Sequence, residues 1–207
     1  LLRLISVYFF RDTHVENEWG LLLNNLINYK SYSFYTFDGQ PIPSAYMPPL
    51  YAFFLYLIKV FTNFNETNLL YTVFFIQIIL STCSIYFFYR INQNFFSDKL
   101  SIVNSAIFSI IPLNIYTCGQ ISSITLQIVL SLLFLWFLLI LINNQKNKNI
   151  IFFSLFSSLL ILTRGEFILI FILTVFFIAF YKKVKLINLL KITMIVFLVI
   201  SPYIVRN

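Results

Sequence analysis

Four ionisable side chains fall close together near the start of the chain: Asp12, His14, Glu16 and Glu18. A positioned carboxylate in such a group can take a proton from a hydroxyl or amine nucleophile, and an imidazole can relay it. Asp12 and Glu16 are four apart, so on a helix they would share a face. Acids at a helix start also complement the helix dipole without any chemistry, and spacing alone leaves both readings open. His14 with Asp12 and Glu16 could hold a divalent metal. One imidazole between two carboxylates, with no further partner for the ring, is a thin ligand set, and no cofactor is expected; His14 then reads as a polar loop residue.

A second cluster interrupts a long apolar stretch. The sequence LLILTRGEFILIFIL carries Arg164, Gly165 and Glu166 in its middle. Ionisable groups inside apolar runs are costly and point to function, and an arginine can hold a phosphate through two parallel hydrogen bonds. The alternatives are an Arg164–Glu166 pair or a turn at the membrane interface. Lys30, Lys59 and Arg206 are further cations near the same face. Asn65-Glu66-Thr67 fits a glycosylation sequon, a pattern short enough to arise by chance. Gln120 and Gln127, around the start of an apolar run, could face a cavity.

The elements that must position these groups are membrane elements. The 207 residues are 60% hydrophobic and only 10% charged, against about 25% charged in soluble domains. The net charge of +7 is no nucleic-acid footprint here, because lysines beside apolar runs report topology. Cys83 and Cys118 are too few for a disulfide framework and read as small buried side chains. The chain opens inside an apolar run, LLRLISVYFF, and closes on SPYIVRN. We therefore expect one domain over 1–207, truncated at both ends.

The stretch from Arg11 to Tyr51 is polar and carries four of the six prolines, Pro41, Pro43, Pro48 and Pro49. Residues 1–10 read as the end of a first membrane helix. Trp19, Leu22, Leu23, Leu26 and Ile27 recur three and four apart, which predicts an interfacial amphipathic helix over 14–30. Asp38-Gly39 predicts a turn with a short hairpin around it. Pro48-Pro49 suits a helix start, and the run 48–62 follows. Apolar runs continue at 68–90, 101–117, 121–142, 150–163, 166–181 and 187–205. Arg90 and Lys99, Lys146 and Lys148, and Lys182, Lys183 and Lys185 fall in alternate connections. The positive-inside rule is met at each only if 48–62 lies at the interface instead of crossing, with Lys59 snorkelling. The outer loop over 11–66 then holds most of the acids. The expected fold is all-α, a polytopic transmembrane helical bundle whose large outer loop carries amphipathic juxtamembrane helices.

These motifs, taken in order, resemble the membrane-embedded GT-C glycosyltransferases. The likeness is to the protein-mannosyltransferase-like branch that includes the lipid A aminoarabinose transferases and the RgtA/B/C/D-like enzymes. Asp12 and then Glu18-Trp19-Gly20 are similar to that branch's acidic motif after the first membrane helix. Ala45-Tyr46-Met47-Pro48-Pro49-Leu50-Tyr51 is similar to its Tyr and Pro-Pro box. Leu162-Thr163-Arg164-Gly165-Glu166 is similar to its Leu-Thr-Arg-Pro-Glu, with glycine in place of proline. Ser201-Pro202-Tyr203-Ile204-Val205-Arg206-Asn207 is similar to its Pro-Trp-(Ile/Val)-x-Arg-Asn. The likeness covers the N-terminal part of such an enzyme. The acidic pair, often adjacent in that branch, is spread here over Asp12, Glu16 and Glu18.

The resemblance implies a transferase that takes sugar from a polyprenyl-phosphate donor to a glycan, lipid or protein acceptor at the outer face of a bacterial inner membrane. It implies Asp12 as base, with Glu18 and then Glu16 as alternatives, inversion at the anomeric carbon, and no metal. His14, Tyr46, Pro48, Pro49, Tyr51, Arg164, Glu166 and Arg206 then fall at the substrates, with membrane lipids around and no nucleic acid. Two other classes compete. A transporter or flippase should show intramembrane ionisable groups and paired broken helices in related halves, and the sequence has neither. A non-catalytic membrane assembly subunit would use the acids only to solvate an outer loop.

Overall fold

The computed structural model describes residues 1–38, 40–42, 47–63, 65–181 and 184–206. Tyr46, with the rest of 43–46, lies outside them, as do Gly39, Lys182, Lys183 and Asn207. Over the described residues the chain is all-α apart from one hairpin. The elements are α1 (Leu2–Phe10), α2 (Glu18–Tyr29), β1 (Tyr35–Phe37), β2 (Gln40–Ile42), α3 (Leu50–Phe61), α4 (Glu66–Asn92), α5 (Asp98–Ser109) and α6 (Pro112–Tyr116). A 3-10 turn over Thr117–Gly119 follows, then α7 (Ile124–Asn143), α8 (Asn147–Thr163), α9 (Phe167–Phe180) and α10 (Leu186–Arg206).

Helix α2 starts four residues later than its apolar spacing predicts. Asn17 caps it, its Oδ1 accepting from the Trp19 N–H at 3.1 Å. Upstream, the Val15 N–H is drawn off to Glu66 Oε1 at 3.2 Å, so residues 11–17 stay outside any helix. Asp12 and Glu16 therefore do not share a helical face. Lys30 ends α2 in the left-handed region at φ 54°. The expected hairpin is present and antiparallel, pairing Tyr35 with Ile42, Thr36 with Pro41 and Phe37 with Gln40, and Asp38 turns it at φ 48°. Helix α3 begins directly after Pro48-Pro49, with Pro49 at its N-cap. Its 12 residues rise about 18 Å, short of a hydrocarbon core of roughly 30 Å.

Helices α4, α7 and α10 are long and apolar enough to cross a bilayer, with mean hydropathy of 1.8, 2.7 and 2.0. The run expected to continue over 101–117 is broken. Helix α5 and the segment from Pro112 to Gly119 are bent by 60°, because Pro112 has no N–H to continue the ladder. Carbonyls released by the break find side chains. The Arg3 Nη1 reaches Ser109 O at 3.4 Å and the Asn114 Nδ2 reaches Phe108 O at 3.4 Å.

Two apolar cores form. One joins α7, α8, α9 and α10 around Phe134, Phe153, Ile161 and Ile192. The other joins α2, α3 and α4 around Trp19, Leu22, Tyr51, Leu55 and Phe74, and takes in Ile121. It is this second core that seats the loop residues of interest. Helix α9 keeps a wide apolar face outside both cores, with Leu173 68% and Phe176 69% exposed. At one end of the bundle Gln145 ties two connections together. Its Oε1 accepts from the Lys185 N–H and from the Asn188 Nδ2, each at 3.0 Å. Cys118 is buried as expected, but Cys83 is exposed on α4, because its side of that helix faces outward.

Candidate functional site

The site is organised by the segment between the 3-10 turn and α7. Gly119 lets this segment approach α1 closely, since a Cβ there would stand 3.2 Å from the Arg11 Cα and 3.4 Å from the Val7 Cα. The close approach brings backbone to backbone. The Asp12 N–H donates to Gly119 O at 2.8 Å, and the Ile121 N–H donates to Asp12 Oδ2 at 2.7 Å. The Asn17 Nδ2 donates to Ile121 O at 2.8 Å. The Gln120 Nε2 donates to Phe10 O at 2.7 Å, so Gln120 ties this segment to the end of α1.

Asp12 is thus half-buried with one carboxylate oxygen anchored. It lines a recess of about 110 Å³ with Arg11, Thr13, Thr67 and Tyr71. The Arg11 Nη2 donates to the Tyr71 hydroxyl at 3.2 Å, and the guanidinium lies 4.7 Å above that ring. This recess therefore pairs an oriented carboxylate with a cation.

A larger cleft of about 380 Å³ borders segment 121–124, lined by Glu18, Pro48, Ser122, Ser123, Arg164 and Glu166 among others. Its volume falls in the range of small-molecule sites, roughly 300–1,000 Å³. Arg164 Nη1 stands 3.6 Å from Glu166 Oε1, with both side chains substantially exposed, so the pair is weak and the guanidinium can serve a second anion. A Cβ at Gly165 would only reach ordinary contact with Pro48 Cγ at 4.0 Å, which brings the Pro-Pro stretch and the Arg-Gly-Glu turn face to face.

A third cleft, about 250 Å³ and mainly apolar, is lined by Tyr32, Pro49, Phe53, Pro202, Tyr203 and Arg206, with Leu50, Leu162 and Val199 behind them. The Arg206 guanidinium lies 4.9 Å over the Tyr32 ring. The Tyr32 hydroxyl donates to Met47 O at 2.8 Å, as does that of Tyr203 at 3.1 Å. Burial, seconded by Tyr203 and opposed by Arg206, raises the Tyr32 pKa, so its phenol stays neutral. Pro48 and Pro49, adjacent in sequence, thus stand in different clefts and form the wedge between them.

The structure separates residues that sequence spacing grouped. Asp12 and Glu18 line different recesses, and Glu16 is exposed. His14 does not join Asp12 and Glu16. Its Nδ1 faces Glu66 Oε1 at 4.0 Å across exposed side chains. Among the described residues no three His, Cys, Asp or Glu side chains gather where a metal could be held. Tyr51 is fully buried, so it supports the clefts from behind instead of touching a ligand. Its ring meets the Trp19 ring at 4.9 Å, edge to face.

Two polar residues were missed by spacing arguments. Gln77 is 1% exposed in the middle of α4. Arg3 is buried in α1, where its Nε donates to Ser81 Oγ at 2.7 Å. The available signal for both is a lone polar residue inside an apolar run, which must find partners within the protein. No protein-family model, curated protein or solved structure matches the chain.

Proposed function

We propose that the chain is a polytopic membrane protein of the bacterial inner membrane. On this reading it carries, at its outer face, the site of a transferase that moves sugar from a polyprenyl-phosphate donor to a glycan, lipid or protein acceptor. One observation carries the reading. Four stretches far apart in sequence, each similar to a GT-C motif, line two adjoining clefts. Glu18-Trp19, Met47-Pro48 and Thr163-Arg164-Gly165-Glu166 line one; Pro49-Leu50 and Pro202-Tyr203-Arg206 line the other. The long apolar helices α4, α7 and α10 and the bent α5–α6 pair supply spans, and the lysine-bearing connections face inward by the positive-inside rule.

In this mechanism an acceptor hydroxyl or amine attacks the anomeric carbon of the donor. Its proton passes to the Asp12 carboxylate, and the bond from the anomeric carbon to the phosphate oxygen breaks with inversion. The lipid phosphate leaves carrying the electron pair, and Arg164 meets its developing charge. The apolar cleft beside Arg206 suits the first units of the prenyl chain. Asp12 is oriented for the role by the Ile121 N–H on one oxygen. A second reading makes Glu18 the base, because Glu18 and not Asp12 shares the larger cleft with Arg164.

The test is transfer from a panel of radiolabelled polyprenyl-phosphate sugars by the full-length protein in proteoliposomes, comparing wild type with Asp12→Asn and Glu18→Gln. General-base loss should cost about 10²–10⁴-fold. Loss confined to Asp12→Asn supports the first reading and loss confined to Glu18→Gln the second. No consumption of any donor by the wild type would refute both, in favour of a transporter or an assembly subunit.

A further inference from the structure

Gln77 sits where an apolar helix should have no use for an amide. Helix α4 is 27 residues long, and Gln77 is almost completely buried within it. Its side chain has two N–H donors and one carbonyl acceptor, and each of these groups is engaged outside its own helix. The Nε2 donates to Cys118 O at 3.2 Å and to Gln120 O at 2.9 Å. The Oε1 accepts from the Tyr51 hydroxyl at 3.3 Å. The two carbonyls belong to the segment whose next groups, Gly119 O and the Ile121 N–H, hold Asp12.

Among the described residues, Tyr51 of α3 meets the neighbouring Ser122 N–H, and Asp12 and Asn17 reach the segment's backbone from the loop that the segment itself holds. The last two tie one irregular segment to another. Gln77 ties both to a long helix. Through Tyr51 the same amide also reaches the first turn of α3, directly behind the Pro48-Pro49 wedge. This one side chain therefore bonds both the segment that holds Asp12 and the helix start that divides the two larger clefts.

We propose that Gln77 is a positioning residue for the transfer reaction, holding the Cys118–Ile121 segment so that the Ile121 N–H orients the Asp12 carboxylate. This rests on the reading of Asp12 as base, and the experiment separates the two. Amide hydrogen exchange is followed by mass spectrometry in full-length protein in nanodiscs, on peptides covering 117–123, for Gln77→Met, for Gln77→Asn and for Ser84→Ala. The Met side chain fills similar space without hydrogen bonds, and Asn keeps the chemistry but shortens the reach. Ser84 is buried on the same helix but bonds its own helix, donating to Ser81 O at 2.7 Å.

Both Gln77 variants should speed exchange in 117–123 at least tenfold, with Ser84→Ala unchanged. In the transfer assay they should lower kcat at least tenfold while KM stays within about twofold, with Asn the milder. If Gln77→Met does not fold, Gln77→Asn is read instead. Unchanged exchange in a folded Gln77 variant overturns the proposal, as does faster exchange in Ser84→Ala to the same degree. Faster exchange with Asp12→Asn fully active keeps the positioning of the segment but overturns its catalytic purpose, and the Asp12 reading falls.

Discussion

Gly20 offers the sharpest test of how the first loop is built. It is buried in the first turn of α2, where its N–H donates to Asn17 O at 2.8 Å. A Cβ added there would overlap the carbonyl oxygen of Val15 and stand 2.9 Å from the carbonyl carbon, where about 3.5 Å is comfortable. The obstacle is backbone, not the end of a flexible side chain. It is also pinned, because the Val15 N–H is bonded to Glu66 Oε1. Overpacking costs about 1–3 kcal/mol, and a rigid backbone obstacle sits at the upper end. The helix propensity gained on replacing glycine by alanine returns about 1 kcal/mol. Gly20→Ala should therefore destabilise by about 1–2 kcal/mol, which at about 2–4 °C per kcal/mol for a chain of this size lowers Tm by roughly 2–8 °C. Gly165→Ala is the matched control, since its nearest neighbour, Pro48 Cγ, lies at 4.0 Å; it should leave Tm unchanged or slightly raised. Thermal unfolding of the purified protein in detergent reads both. A Gly20→Ala protein that melts with or above wild type would sink the account of the loop, as would an equal loss in Gly165→Ala.

Two further outcomes are expected. Burial, with the Asp12 charge as a lesser cause and against the pull of the Ser122 N–H, raises the Tyr51 pKa in the folded protein. The stability this phenol contributes is then intact below about pH 10, its ordinary pKa, and is lost as pH rises further and the unfolded chain ionises. Tyr51→Phe should cost about 0.5–1.5 kcal/mol at neutral pH through the bond to Gln77 and flatten the alkaline slope of stability; an unaltered slope in denaturation series from pH 8 to 11 would contradict this. His14→Ala should change stability by no more than about 0.5 kcal/mol and leave the proposed transfer unaffected, because its contact with Glu66 is 4.0 Å long and exposed; a large loss in that assay would restore a proton relay.

The local elements were legible because their causes are local. The spacing of Trp19, Leu22 and Leu23 marks the buried face of α2, the Asp38-Gly39 turn marks the hairpin, and the paired prolines mark the start of α3. The site was harder to read because its causes are distant. Asp12 and Glu18 are six residues apart in sequence, yet Asp12 is held by the Ile121 N–H while Glu18 lines a separate cleft with Ser122, Ser123 and Arg164, partners more than 100 residues further on. No spacing rule within the loop contains that information. The break between α5 and α6 was signalled by Pro112, but apolar composition on both sides masks it. The role of Gln77 was signalled only by its being the one amide in FFIQIIL, which says that partners exist and not where. Arg164 and Glu166 were readable as a turn; their meeting with Pro48 required the fold.

The ties of α1 also have a consequence in time. The first helix and the loop just after it are secured by contacts to Ser109, Gly119, Gln120 and Ile121, 106 to 110 residues further along where the side-chain bonds are concerned. At a synthesis rate of about 5–20 residues per second, those partners leave the ribosome roughly 5–20 s after α1 does. Arg3 gains Ser81, 78 residues on, before Ser109, 106 residues on, and through the whole interval the loop that bears Asp12 has no backbone to rest on. The order of emergence thus makes α5, α6 and the turn after them the step that closes the N-terminal half. Errors in inserting the bent pair should therefore surface as an unanchored first helix, an outcome more damaging than a local fault at Pro112 alone.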